Sequence, residues 1–308
     1  MFKKVASRLA QSSSFRKTVM STPVLRELAG TYIGGEDLDA GLATVQQLNA
    51  QGVKGSLNFY GMHACQAGKA EHAADEAITA LRRIQAEGVD ANISVKLTMI
   101  GLDIGEDYCR HQLRRILDCA SESHGFVRVD MEESPYLDRT LRIFEEMRVR
   151  YGVRTVGLVI QSYLRHREAD LDRLMDHGAH IRLVKGGCRE RRDVAFQSEL
   201  EIDDAFRHDI ERLLKRGRSP AIATYDAEAI AWTRDCQHRL GLGPEALEFQ
   251  MLFGVKPELL GALVADGYSV RSYIPYGGAW PTHVLSCMLQ RVHPLDSARP
   301  DPPVARVS

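Results

Sequence analysis

FVRVDMEE (residues 126–133) is a short apolar run that ends in charge: Val127 and Val129 give way to Asp130, Glu132 and Glu133. Alternation of this kind over so few positions predicts a β-strand. The same form recurs on both sides of it. Upstream stand GVKGSLNFYG (52–61) and ANISVKLTMIG (91–101). Downstream follow TVGLVIQSY (155–163), HIRLVKGG (180–187), AIATYD (221–226), LEFQMLFG (247–254) and YSVRSYIPYG (268–277). Most are separated by about 20 to 40 residues with helical periodicity, the rhythm of a TIM-type (βα)8 barrel in the α/β class. In that fold the strand ends face the active site. Lys96, Asp130, Gln161, Lys185, Tyr225, Gln250 and Tyr273 then form one constellation, which makes an enzyme the leading reading.

Around the barrel the chain divides into an N-terminal helical arm (1–50), the barrel with a capping last helix (51–292) and a proline-containing, disordered tail (293–308). Gly34 and Gly35 interrupt the arm before a helix over Leu38 to Asn49. The stretch from Ser134 to Arg150 reads as a helix capped by Ser134, with Pro135 in its first turn. Leu137, Leu141, Phe144 and Met147 are its core stripe. The last helix starts near Pro281. The first 26 residues hold no acid. With Lys3, Lys4, Arg8, Arg16 and Lys17 they resemble a transit peptide in composition. Phe2, Val5, Leu9, Phe15 and Val19 instead form an apolar stripe continuous with the domain, which favours an amphipathic arm. Such an arm also suits peripheral contact with the inner face of a membrane.

A hydrophobic fraction of 44% supports a large core, yet no run of about 18 apolar residues marks a membrane span. Lys plus Arg (40) nearly balance Asp plus Glu (41), so no global field attracts nucleic acid. The six cysteines lack any CxxC pair and read as reduced thiols of a cytoplasmic protein. His63, Cys65, Cys188, His283 and Cys287 have no metal-ligand spacing, so no metal is expected.

Lys96 in SVKLT and Asp130 in RVDME belong to neighbouring strands roughly 4.8 Å apart, which makes an ion pair between them natural. It reads either as a structural pair or as part of a site. RLVKGG places a basic residue and two glycines at a strand end, permitting close backbone approach to a phosphate or a flat ring. Gln161 and Gln250 add amide groups suited to a heterocycle with mixed hydrogen-bonding edges. Together these fit a large, polar, anionic cofactor better than a metal.

These motifs resemble the flavin-dependent proline dehydrogenases. KLTMIGLD (96–103), RVDMEES (128–134), IQSYL (160–164), RLVKG (182–186), EFQMLFG (248–254) and DGYSVRSYIPYG (266–277) follow that family's pattern in order. The resemblance covers about residues 30 to 292. It implies a distorted barrel holding non-covalent FAD at its C-terminal face beneath a final helix. The flavin contacts then fall on Gln161, Arg182, Val184, Lys185, Gly187, Thr224 and Gln250, with Tyr225 where the family usually has histidine. The catalytic and substrate groups fall on Lys96, Asp130, Leu252 and Tyr273. The reaction implied is hydride transfer from the carbon beside an amine nitrogen to flavin N5, with a quinone or oxygen as electron acceptor.

The sequence departs from the family in the substrate pocket. A carboxylate-gripping arginine pair falls on Ser286 and Cys287. The glutamate that pairs with one of them falls on Met62, and two pocket tyrosines fall on Cys188 and His283. Both members of an ion pair are replaced together, which avoids stranding one charge in a dry pocket. A lost charged contact of this kind is worth roughly 2 to 5 kcal/mol. The expected substrate is therefore a small-molecule amine, a proline derivative or another imino acid, rather than free proline. The alternative is a proline dehydrogenase with an unusual carboxylate anchor. Two readings of other classes are a Schiff-base lyase using Lys96 or Lys185 as nucleophile, and a flavin-binding barrel without turnover. The oligomeric state is not legible in the sequence.

Overall fold

The computed structural model describes residues 31–61, 63–187 and 190–278. The basic segment before residue 31, the expected last helix and the tail lie outside the described residues. So do Met62, Cys188, His283, Ser286 and Cys287.

Eight parallel strands close into a barrel in chain order. They are β1 (Lys54–Phe59), β2 (Ala91–Val95), β3 (Val127–Val129), β4 (Val156–Gln161), β5 (His180–Val184), β6 (Ala221–Ala223), β7 (Glu248–Leu252) and β8 (Ser269–Tyr276). Each lies within one of the eight apolar runs. Helix α1 (Leu38–Asn49) precedes β1. The crossover helices are α2 (Ala67–Glu87), α3 (Glu106–Glu122), α4 (Ser134–Tyr151), α5 (Glu168–Asp176), α6 (Glu199–Arg216), α7 (Ala227–Arg239) and α8 (Pro257–Ala265). β8 returns to β1 in register from Lys54 opposite Arg271 to Phe59 opposite Tyr276, which closes the sheet.

The strands' outward residues make the core with the helices. Leu57, Ile93, Val127, Leu158, Leu183, Phe249 and Val270 are all buried, against helix residues such as Leu81, Leu113, Phe144 and Phe206. Each of these four helix partners belongs to the buried stripe of its own helix, as amphipathic periodicity requires. Leu137, Leu141, Phe144 and Met147 of α4 are buried as the sequence predicts. Its start differs from expectation. Glu133 is the N-cap residue and Ser134 is the first helical one. Ser134 donates through both N–H and hydroxyl to Glu190, 2.7 Å away in each case. A distant carboxylate satisfies the helix start in place of a local cap.

Candidate active site

Paired residues of adjacent parallel strands point to the same side, and residues two apart along a strand share that side. Going round the barrel, Ser56 pairs with Tyr273, Ser94 with Arg128, Val159 with Arg182, Gln161 with Val184, and Leu252 with Tyr273. Ala223 pairs with both Val184 and Gln250. This face is the interior, because Arg182 reaches across it to four other strands or their extensions. Its Nε donates to Gln250 at 2.5 Å and its Nη1 to Asp130 at 3.1 Å. Its Nη2 donates to Ser94 at 3.1 Å and Ser56 at 3.3 Å. Lys96 and Asp130 stand two residues beyond Ser94 and Arg128, so they face the same interior at its C-terminal mouth.

At that mouth Lys96 Nζ donates to Asp130 Oδ2 at 2.9 Å and to the Tyr273 hydroxyl at 3.1 Å. Tyr273 in turn donates to the same Asp130 oxygen at 2.7 Å. Asp130, Arg182 and Gln250 are buried, while the Lys96 side chain keeps 29% of its exposure and so reaches the opening. Burial opposes the charge on Lys96, but Asp130 and then Tyr273 outweigh it and raise its pKa. Burial likewise opposes the Asp130 carboxylate, and Lys96 and Arg182 outweigh that and hold it below its usual range. Burial, reinforced by Asp130, pushes the Tyr273 phenol upward. The mouth is thus a fixed ammonium–carboxylate pair with a neutral phenol beside it.

Three further predicted residues, Val184, Leu252 and Gln161, lie on this inward face. Val184 and Leu252 are half-buried where β5 and β7 end. Gln161 is buried at the end of β4. Its amide nitrogen donates to the Met131 carbonyl at 3.3 Å, and its Oε1 has no partner among the described residues. Lys185 is not part of the central network. It follows inward-facing Val184 by one residue and therefore turns the other way, toward the helices. There it pairs with Asp203 of α6 and with Asp226, the N-cap residue of α7, at 2.6 Å from the latter. Thr224 follows Ala223 in the same manner, and its hydroxyl accepts the Asp226 N–H at 3.1 Å. Tyr225 is half-buried, with Lys256 Nζ 6.0 Å from its ring centre. Gly187 is exposed on the β5–α6 loop.

Sequence reading missed the groups that support this network from below. Ser56 and Ser94 share a 3.1 Å hydrogen bond and both hold Arg182. Arg271 donates from Nε to Glu248 at 2.8 Å. Despite burial, that arginine lowers the glutamate's pKa to about 2. Arg128 donates to the His180 carbonyl at 2.7 Å. The available signal was strand parity, since Arg128, Glu248 and Arg271 each precede a predicted site residue by two. Above the mouth, Glu132 accepts from the Thr98 N–H at 3.1 Å and the Thr98 hydroxyl at 2.5 Å.

A Schiff-base nucleophile must be a neutral amine. Asp130 and Tyr273 keep Lys96 as ammonium, and Asp203 and Asp226 do the same for Lys185, whose pKa they raise against the effect of burial. The geometry speaks against the lyase reading.

The proline dehydrogenase family profile matches residues 41–283. Proline dehydrogenase 2 of Bacillus subtilis (strain 168) is 33% identical over 266 residues, which cover 86% of this chain and 87% of that protein. The proline dehydrogenase of Deinococcus radiodurans is 34% identical over 256 residues, covering 82% and 83%. Among solved structures, proline utilization A from Bdellovibrio bacteriovorus, inactivated by N-propargylglycine, superposes with a TM-score of 0.81 at 21% identity. That likeness carries the fold. It covers 87% of this chain and 33% of the other, so this chain spans about a third of that longer protein. Among the described residues no helix is long and apolar enough to cross a membrane.

Proposed function

This chain belongs to the proline dehydrogenase family, an oxidoreductase family acting on CH–NH bonds, and from that premise we propose that it oxidises free proline with FAD bound non-covalently at the barrel mouth. The observation that carries this reading is the Lys96–Asp130–Tyr273 triangle at the strand ends, braced from within the barrel by Arg182. Lys96 binds the substrate carboxylate as a permanent cation. Asp130 fixes the direction of that ammonium and, held ionised by Lys96 and Arg182, does not itself compete for the substrate's proton. Tyr273 fills the wall between them.

Features of the mouth fit the cofactor. Gln161 Oε1 is a buried acceptor with no partner among the described residues, available to a ring N–H. Gly187 has no described atom within 4 Å of where a Cβ would stand, leaving room for close approach. Val184 and Leu252 offer apolar surface to a flat ring. FAD when bound supplies the acceptor for the hydride that leaves the carbon beside nitrogen, while the nitrogen loses a proton and the imine forms. A quinone is the proposed final electron acceptor. Lys185 fits least well, because any phosphate must share it with Asp203 and Asp226.

The names of the relatives fit free proline better than the derivative expected from the sequence. A proline derivative with a less anionic carboxyl group remains the second reading on the sequence resemblance alone, which sets Ser286 and Cys287 at the family's arginine pair. Anaerobic titration of the purified protein decides between them. Bleaching of the flavin's visible band by proline supports the first reading, and bleaching only by an ester or amide of proline supports the second. A protein that binds no flavin after reconstitution, or one reduced by dithionite but by no amine, overturns both.

A further inference from the structure

Among the described residues, His63 is the one residue of the β1–α2 loop that faces two carboxylates from two other loops. Its Nδ1 lies 3.3 Å from Asp103 Oδ2 on the β2–α3 loop, and its Nε2 lies 3.9 Å from Glu132 Oε1 on the β3–α4 loop. The ring is about half-exposed, Asp103 is less so, and Glu132 is buried. Tyr136 at the start of α4 packs edge-on to the imidazole, with ring centres 5.7 Å apart.

Through Glu132 this residue touches a pairing that follows the Lys96–Asp130 pair along the chain. Thr98 is two residues beyond Lys96, and Glu132 is two beyond Asp130. Thr98 and Glu132 are joined by two hydrogen bonds, as Lys96 and Asp130 are joined one step below. The next residue after His63 continues the attachment, for the Ala64 N–H donates to the Thr98 carbonyl at 3.0 Å. At the other end of the loop the Tyr60 N–H donates to the Tyr276 carbonyl at 2.7 Å. The loop is therefore tied at Tyr60 and Ala64, and His63 is its only side-chain link among the described residues to both carboxylates. These acids do not make a metal site with it, since no such group of three occurs among the described residues.

We propose that His63 is a positioning residue that tethers the β1–α2 loop to Asp103 and Glu132 and thereby sets the pocket wall above Lys96. It acts through the loop and touches neither the substrate nor the reacting atoms. The inference rests on the mouth being the substrate site, as proposed above. It assigns the pocket's affinity in part to a residue one position beyond Met62, where the family's glutamate is absent.

The test uses flavin-loaded protein and the variants His63→Ala and His63→Gln. The glutamine amide donates hydrogen bonds to carboxylates but lacks the imidazole's shape. Hydrogen exchange is followed in the peptide covering residues 60–66, and steady-state kinetics are measured with proline. The expected result for His63→Ala is roughly tenfold faster exchange and a roughly tenfold higher KM with kcat changed by less than about twofold, the pattern of lost uniform binding. His63→Gln should recover most of both. Unchanged exchange in His63→Ala overturns the tether. So does faster exchange with unchanged KM, a parallel fall in kcat, or a His63→Gln variant that recovers nothing. If the wild-type protein does not oxidise proline at all, the proposed function fails, and loop exchange alone then decides the tether.

Discussion

Lys96 on the extension of β2 and Asp130 on the extension of β3 stand 2.9 Å apart, and Arg182 holds the other Asp130 oxygen at 3.1 Å. One carboxylate thus serves two cations, and this makes the pair asymmetric. Asp130→Asn leaves both Lys96 and Arg182 without their acid, and breaking a buried pair costs about 3 to 5 kcal/mol. Lys96→Met leaves Asp130 still matched by Arg182, so its stability loss should be much smaller. Both variants should lose kcat/KM with proline, Lys96→Met by roughly 30- to 1000-fold through KM, as expected for about 2 to 4 kcal/mol of a lost charged contact. Thermal unfolding and steady-state kinetics check this. A Lys96→Met protein as unstable as Asp130→Asn contradicts the asymmetry.

Gly186 and Gly187 are neighbours with opposite demands. Gly186 has φ +108°, and a Cβ there would stand 2.1 Å from the Tyr163 ring. Gly186→Ala should destabilise the fold by about 1 to 3 kcal/mol through backbone strain and that clash. Among the described residues nothing crowds Gly187, so Gly187→Ala should keep the melting temperature of the flavin-free protein and instead weaken flavin retention. Denaturant unfolding and flavin content after dialysis separate the two effects. Equal destabilisation by both would mean that the turn, and not the space beside it, sets the requirement.

His180 sits at the closed end of the barrel, where burial and then Arg128 lower its pKa to about 4. An unfolded histidine titrates near 6.5. Between those values the unfolded chain binds a proton that the folded chain refuses, so stability rises with pH there and falls as pH drops from about 6.5 toward 4. After discounting for partial exposure, the contribution is about 1 to 2 kcal/mol between pH 7 and pH 5. Urea unfolding at those two pH values should show it, and His180→Gln should flatten that part of the profile. An unchanged slope in the variant assigns the acid loss elsewhere.

The barrel was legible because each strand is an apolar run bounded by turn residues, a local property of the sequence. The meeting of Lys96, Asp130 and Tyr273 was legible because strand ends in this fold converge on the barrel mouth. Arg182's supports were not. Ser56 and Ser94 are small polar residues inside strands, and only closure of β1 against β8 brings them under one guanidinium. Lys185 was placed in the constellation by its position at a strand end, but strand parity turns it toward α6 and α7. Ser134 reads as a cap by residue type, yet Glu190, 56 residues away in sequence, supplies the acceptor. For Arg182's supports and for Ser134 what failed was a relation between distant segments, whereas for Lys185 it was the local parity of the strand.

The substrate pocket offers the sharpest test of how the sequence departs from its family. By the sequence resemblance, Ser286, Cys287 and Met62 fall where the family has an arginine pair and the glutamate that pairs with one of them, and on that expectation charge is removed on both sides together. Restoring only the arginines leaves one of them without its acid, and an uncompensated charge in a dry pocket is strongly unfavourable. Ser286→Arg with Cys287→Arg should therefore fold less well and gain little, whereas adding Met62→Glu should recover stability. With the ion pair complete, the second arginine is free for the substrate carboxylate. The triple variant should then lower KM for proline by roughly 30-fold or more, the equivalent of about 2 kcal/mol. Its KM for a proline ester should change little, since the ester lacks the anion. A well-folded, flavin-loaded triple variant with unchanged KM for proline would show that residues 286 and 287 do not face the substrate carboxylate, and Lys96 would remain its principal cation.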